Sequence, residues 1–151
     1  MSSGMDMLYG EYRNTMDEKG RILFPSKLRA VLQQKELVVT QGLDHCLMLF
    51  TTEEWASINV KIVGSASLFN DQKRLVMRRF VAPAQQLEFD RSGRLSIPQS
   101  LREYAGLKGD CIILGINKYM ELWDAQSYKD YLSKTEDTFM QAAESMSDIL
   151  L

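Results

Sequence analysis

Histidine and cysteine are scarce in this 151-residue chain, which has one His and two Cys. Cys46 and Cys111 stand apart, with no C-x-x-C spacing, so a Cys/His zinc site is excluded. A nucleophilic triad would have to use His45, which lies in the turn-like stretch Gly42-Leu-Asp-His-Cys and reads as an ordinary exposed loop residue. The sequence also lacks a phosphate-cradling glycine loop and, outside two duplicated turns, any recurring catalytic carboxylate pair. An enzyme, a metal and a cofactor are therefore not expected, nor is a small-molecule substrate. The two thiols fit a reducing cytoplasm as buried, inert side chains.

Long apolar runs are missing too. The longest continuous ones, such as Cys111–Leu114, are strand-sized, far below the roughly 18 residues of a membrane helix. The short polar start, Met1–Asp6, has no apolar core of a secretion signal. No membrane role is expected. At 45% apolar and 25% charged residues, the composition is that of a globular domain with a real core.

Net charge is small, −2, which taken alone argues against nucleic acid. Its distribution says otherwise. Residues 1–120 carry 16 basic and 13 acidic side chains, a net of +3; residues 121–151 carry 2 and 7, a net of −5. A mildly basic body precedes an acidic tail.

An internal repeat organises the body. With an offset of 73, residues 15–55 and 88–128 align without a gap and share nine identities in 41 positions. Asp17, Gly20, Arg21, Pro25, Leu28 and Arg29 match Asp90, Gly93, Arg94, Pro98, Leu101 and Arg102. Identities concentrated on Asp, Gly, Arg and Pro at one constant offset identify a tandem duplication.

Each copy has the same local physics. Gly20 and Gly93 provide a positive φ cheaply, and Asp17 and Asp90 can accept turn N–H groups. A tight turn is thus expected between an alternating strand and a short second strand, Arg21–Phe24 or Arg94–Ile97. Pro25 and Pro98 stop that strand and open a short helix carrying Leu28, Val31 and Leu32, or Leu101, Tyr104 and Ala105. A buried strand comes next (Leu37–Thr40, Cys111–Leu114). Gly42-Leu-Asp and Gly115-Ile-Asn are then expected as turns, before a strand ending in Phe50 or Trp123. Thr51-Thr-Glu-Glu resembles a capping box and opens a helix containing Trp55.

Each half therefore holds about four strands and one helix, with a closing helix. Units this small are marginal alone, so both should pack into one β-rich α+β body. The repeats are placed at residues 11–58 and 84–128. Between them, Ser65–Val81 reads as a connecting helix after an Asn70/Asp71 start, with Lys73, Arg74, Arg78 and Arg79 as either a solvated face or a phosphate-facing one. Residues 129–151 form a C-terminal amphipathic helical tail. In it Phe139, Ala143, Met146 and Leu150, spaced by 4, 3 and 4, oppose Glu136, Glu144 and Asp148. This stripe packs either on its own subunit or against a neighbour.

Met7-Leu-Tyr-Gly-Glu-Tyr, Asp17-Glu-Lys-Gly-Arg-Ile-Leu-Phe-Pro, Asp90-Arg-Ser-Gly-Arg-Leu-Ser-Ile-Pro and Leu101-Arg-Glu-Tyr-Ala-Gly-Leu together carry a resemblance over about residues 7 to 130. The sequence resembles MraZ, a family of bacterial transcription regulators whose gene heads the division and cell-wall gene cluster. The resemblance implies a tandem duplicated AbrB/SpoVT-like fold, a double-split βαβ or swapped-hairpin barrel. It further implies an octamer-like homo-oligomeric ring that binds repeated double-stranded DNA boxes upstream of its own operon, usually as a repressor, in the cytoplasm and at the nucleoid. The family's D-x-x-x-R signature, linked to DNA contact, falls on Asp17 and Arg21 and on Asp90 and Arg94. The loops differ elsewhere: Lys19 is matched by Ser92, and Glu18 by Arg91, so the two need not bind equally.

On that basis Arg21 and Arg94 are expected to read guanine edges or clamp phosphates, with Lys19, Arg91 and Lys27 on the DNA backbone. Arg29 and Arg102 are expected either there or, more simply, on a solvated helix face. Asp17 and Asp90 would orient the arginines or simply pair with them to hold the turn. Gly20 and Gly93 serve the turn itself. The competing function is an antitoxin-like or scaffold interaction module built on the same fold, with the acidic tail binding a partner.

Overall fold

The computed structural model describes residues 7–65, 67 and 69–151. The Met1–Asp6 segment lies outside the described residues, as do Ala66 and Leu68 within the connecting stretch. The first repeat supplies β1 (Leu8–Thr15), β2 (Arg21–Leu23), α1 (Ser26–Leu32), β3 (Glu36–Gln41) and β4 (Leu47–Phe50). The second supplies β5 (Gln85–Glu88), β6 (Arg94–Ser96), α4 (Gln99–Ala105), β7 (Asp110–Asn117) and β8 (Tyr119–Asp124). Between them run α2 (Thr52–Ser65), α3 (Asp71–Val76) and a π-helical turn, Met77–Val81. The chain closes with α5 (Ala125–Lys134), α6 (Glu136–Ser145) and α7 (Ser147–Leu150). This is the duplicated α+β architecture that the repeat implies.

The halves do not fold side by side; they exchange strands. β1 of the first repeat pairs with β7 of the second, and β5 of the second pairs with β3 of the first, giving one antiparallel sheet in the order β1-β7-β8-β4-β3-β5. That order is a palindrome under the 73-residue offset, so a pseudo-twofold axis passes between β8 and β4, where Leu47 faces Leu122 and Leu49 faces Met120. The two short strands form their own antiparallel ribbon, β2–β6, centred on the pair Ile22 and Leu95. Neither repeat could complete its sheet alone, which is why units too small for independent stability make one body.

The core lies between the main sheet and the ribbon with its flanking helices. Leu28 and Leu32 from α1 and Leu101 and Ala105 from α4 meet Leu37, Leu49, Ile113 and Leu122 of the sheet, all buried. Ile22 and Leu95 are both fully buried and fasten the ribbon to it. A satellite cluster forms where α5 lays Tyr128 and Tyr131 on Trp123, at ring-centroid distances of 5.1 and 4.9 Å.

Two local expectations are borne out by cap geometry. The Thr51 hydroxyl accepts the Glu54 N–H at 3.1 Å and opens α2, and the Asn70 side chain accepts the Lys73 N–H at 3.0 Å and opens α3. One turn is corrected. Gly115 is not a turn residue: β7 runs on to Asn117, and a two-residue hairpin at Asn117-Lys118, with Asn117 at φ 65°, leads into β8. Gly115 instead admits the backbone of β1, because a Cβ there would lie 2.6 Å from the Tyr9 nitrogen. The tail also differs from one continuous stripe, since Thr135 and Met146, both at φ −106°, divide it into α5, α6 and α7.

Cys46 and Cys111 are free and buried. Burial is the main reason that the Cys46 thiol is pushed up to about 12 and that of Cys111 to about 11, so both stay protonated and unreactive. His45 is an exposed loop residue at φ 59°, its ring lying 5.3 Å from that of Tyr104. No helix among the described residues is long and apolar enough to cross a membrane.

Candidate nucleic-acid interface

The two D-x-x-G-R turns are built alike, atom for atom. In the first, the Asp17 N–H donates to the Arg21 carbonyl at 2.9 Å, and the Gly20 N–H donates to the Asp17 carbonyl at 3.0 Å. Asp17 Oδ1 accepts the backbone N–H groups of Lys19 and Arg21, both at 2.9 Å, while Oδ2 accepts Arg21 Nε at 2.7 Å. In the second, Asp90 Oδ1 accepts the N–H groups of Ser92 and Arg94, and Oδ2 accepts Arg94 Nε at 2.9 Å. One carboxylate thus shapes the turn with one oxygen and aims the arginine with the other.

Electrostatics follow the hydrogen bonds. The Arg21 backbone N–H is the largest influence holding Asp17 below the usual carboxylate range. Desolvation opposes it, and the Arg21 guanidinium and Lys19 N–H add to the lowering. Asp90 is held down in the same way by Arg94 and Ser92. A carboxyl lowered on folding stabilises the turn above its unfolded pKa, and that contribution is lost only as pH falls through the depressed value. Both turns are therefore intact at neutral pH.

Alternation along the ribbon then sets which side chains face outward. Ile22 and Leu95 point into the core, so Arg21, Leu23, Arg94 and Ser96 share the outer face. Arg21 stands opposite Ser96 and Arg94 opposite Leu23, which puts the two arginine Cα atoms roughly 8 Å apart by ladder geometry. Their side chains are 31% and 34% exposed. With each Nε engaged by its aspartate, the two terminal nitrogens of each guanidinium carry no hydrogen bond to another described residue.

Lys19 and Arg91 are exposed in the turns, and Lys27 is exposed at the start of α1. Lys27 lines a shallow groove with Leu23 of the ribbon and with Arg13 of β1. Arg91 lines another with Lys35 and Arg29. Lys35 reaches its groove through the pairing of β3 with β5, whereas Arg13 meets Leu23 and Lys27 within the first repeat.

Arg29 and Arg102 do not form a solvated helix face; both are half-buried braces. Arg29 Nε donates to the Phe24 carbonyl at 3.3 Å, and Arg102 Nε to the Ile97 carbonyl at 2.9 Å. Each guanidinium lies over the glycine of the opposite repeat. A Cβ on Gly93 would sit 2.5 Å from Arg29 Cζ, and one on Gly20 would sit 2.6 Å from Arg102 Nε. Gly20 and Gly93, at φ 79° and 84°, thus serve two needs: the left-handed backbone and room for the brace. The Gly93 carbonyl also accepts the Phe24 N–H, and the Gly20 carbonyl the Ile97 N–H, so each turn is tied to the other half. The identity of Arg29 and Arg102 at matching repeat positions is the sequence signal for this role; their partners lie 64 and 82 residues away.

Fold and site together define a class: a tandemly duplicated chain whose halves exchange strands and display one arginine-bearing, pseudo-symmetric β-ribbon. The chain belongs to the MraZ family. The model of that family, described as "MraZ protein, putative antitoxin-like", matches residues 7–79 and again residues 80–150. Curated relatives agree along nearly the whole length. A protein of Treponema denticola named transcriptional regulator MraZ is 54% identical over 140 residues, covering 93% of this chain and 97% of that one. The proteins of the same name from Treponema pallidum and Halothermothrix orenii are 43% and 39% identical, covering 94% and 95% of this chain and 95% and 99% of theirs.

Proposed function

We propose that this protein is a sequence-specific, DNA-binding transcriptional regulator that represses the bacterial division and cell-wall gene cluster, its own operon included. It binds repeated promoter boxes as an octamer-like ring of identical subunits, in the cytoplasm and at the nucleoid. The observation that carries the reading is the β2–β6 ribbon, with Arg21 and Arg94 aimed from its outer face by Asp17 and Asp90. A two-stranded ribbon fits the major groove of B-DNA, about 12 Å wide, and arginine is the side chain best matched to a guanine edge. The relatives' shared name, transcriptional regulator, supports the same reading.

In this mechanism Arg21 and Arg94 read base edges or clamp phosphates. Lys19, Arg91 and Lys27 neutralise backbone phosphates around them. The near-neutral charge of one protomer keeps its single-site affinity modest, and ring symmetry multiplies it along evenly spaced boxes.

Gel-shift titration with the DNA upstream of the protein's own gene tests this. With three phosphates neutralised per protomer, affinity for a single box falls about 40-fold between 50 and 200 mM salt, and more steeply when several boxes are engaged. An unshifted probe at micromolar protein, or a shift indifferent to salt, would overturn the reading and favour the interaction module.

A further inference from the structure

A second surface has no role in that mechanism. Helix α2, helix α3 and the π-helical turn stand around an open groove of about 590 Å³ on the first repeat's side of the sheet. Ile58 and Ile62 of α2 form one wall, Leu75 and Val76 of α3 the other, and Phe50 and Phe80 lie between them. Leu75 and Val76 are 54% and 43% exposed, adjacent apolar side chains left open to water on a groove that is itself apolar. The exposed charge beside it is basic. Of the five cations between residues 61 and 82, Lys73 is buried with its Nζ donating to the Val63 carbonyl and Arg74 pairs with Asp71, which leaves three. Lys61, Arg78 and Arg79 are exposed, and Arg79 lines the groove itself.

The same chain carries the complement. Helix α5 is anchored through Tyr128 and Tyr131 on Trp123, but α6 and α7 are not held in that way. Phe139, Met140, Met146, Ile149 and Leu150 are 46–77% exposed, and none joins either core cluster. Residues 135–151 contain Glu136, Asp137, Glu144 and Asp148 and no basic residue. An acidic helical segment with an unburied apolar stripe and an apolar groove flanked by exposed basic side chains match in charge and chemistry, and within one molecule no tail residue lines the groove.

We propose that α6–α7 of one copy of this chain docks in the α2–α3 groove of the next. Tail and groove are different patches, so the contact is heterologous: every copy uses its tail on one neighbour and its groove on another. Such a contact closes into a ring when its rotation closes. This deepens the proposed function by naming the contact behind the assembly, and it is tested on protein without DNA, so its failure is separable from a failure to bind promoter boxes.

The experiment uses the full chain and measures mass in solution by light scattering. Leu75→Glu fills the groove with charge, and Phe139→Glu spoils the tail; both sites are exposed in the protomer, and circular dichroism verifies that the fold is kept. Wild type runs as a closed oligomer, and each variant alone falls to protomer mass. Mixed, the two variants form a one-to-one dimer and nothing larger, because only one intact tail and one intact groove remain. Arg78→Glu with Arg79→Glu also lowers the mass, and adding Glu144→Lys and Asp148→Lys to that variant restores it. A protomeric wild type, variants of unchanged mass, a mixture that does not pair, or charge reversal without rescue would each overturn the proposal.

Discussion

Arg21→Ala and Arg94→Ala each lower affinity for a single promoter box by roughly 5- to 150-fold, the worth of one bidentate base contact at about 1–3 kcal/mol. The double variant loses close to the product, since each arginine is aimed by its own aspartate. Thermal stability barely moves. The Asp–Arg pairs are about one-third exposed, and solvent-screened ion pairs of this kind contribute little to stability. The turns also keep their backbone hydrogen bonds to Asp17 Oδ1 and Asp90 Oδ1. Binding isotherms and melting curves on the same samples separate the two effects. A fall of many degrees with affinity unchanged below the melt would mean that the arginines only hold the fold.

The opposite pattern is expected one residue along the ribbon. Leu95→Ala destabilises the chain by about 2–5 kcal/mol, because Leu95 is fully buried against Ile22 and a cavity remains where strands from both repeats meet. For a chain of this size that lowers the midpoint by roughly 4–20 °C. The transition stays single, since β1 and β5 each complete the other repeat's sheet and neither half can unfold without exposing its partner. Well below the melt the outer face is unaltered and DNA affinity is retained. Ser96→Ala, on the exposed side of the same strand, leaves stability within about 0.5 kcal/mol of wild type. Calorimetry showing two separate transitions, or equal costs at Leu95 and Ser96, would contradict the interlocked core.

Much of this is legible in the amino-acid order because the duplicated signals are local. Asp, Gly and Arg within five residues specify a turn, and proline ends the short strand and opens the helix. Pairing partners are not local. The alternating pattern of Leu8–Thr15 marks a strand, yet nothing in it says that β7, some hundred residues away, is its neighbour rather than β3. Gly115 resembles a turn residue because glycine signals both a turn and the close approach of another backbone. Arg29 and Arg102 pose the same difficulty. On a short helix each looks solvent-facing, and only strand exchange brings the opposite glycine beneath it. The apolar stripe of the tail is visible from its spacing, whereas the groove that complements it requires α2, α3 and the sheet to be assembled first.

Photocrosslinking from the ribbon tests the central claim most directly. A photoreactive side chain placed at Ser96, exposed beside Arg94 on the outer face, crosslinks to promoter DNA, and one at Val60 on the exposed side of α2 does not. Crosslinking at Val60 with none at Ser96 would place the DNA on a different surface and contradict the account.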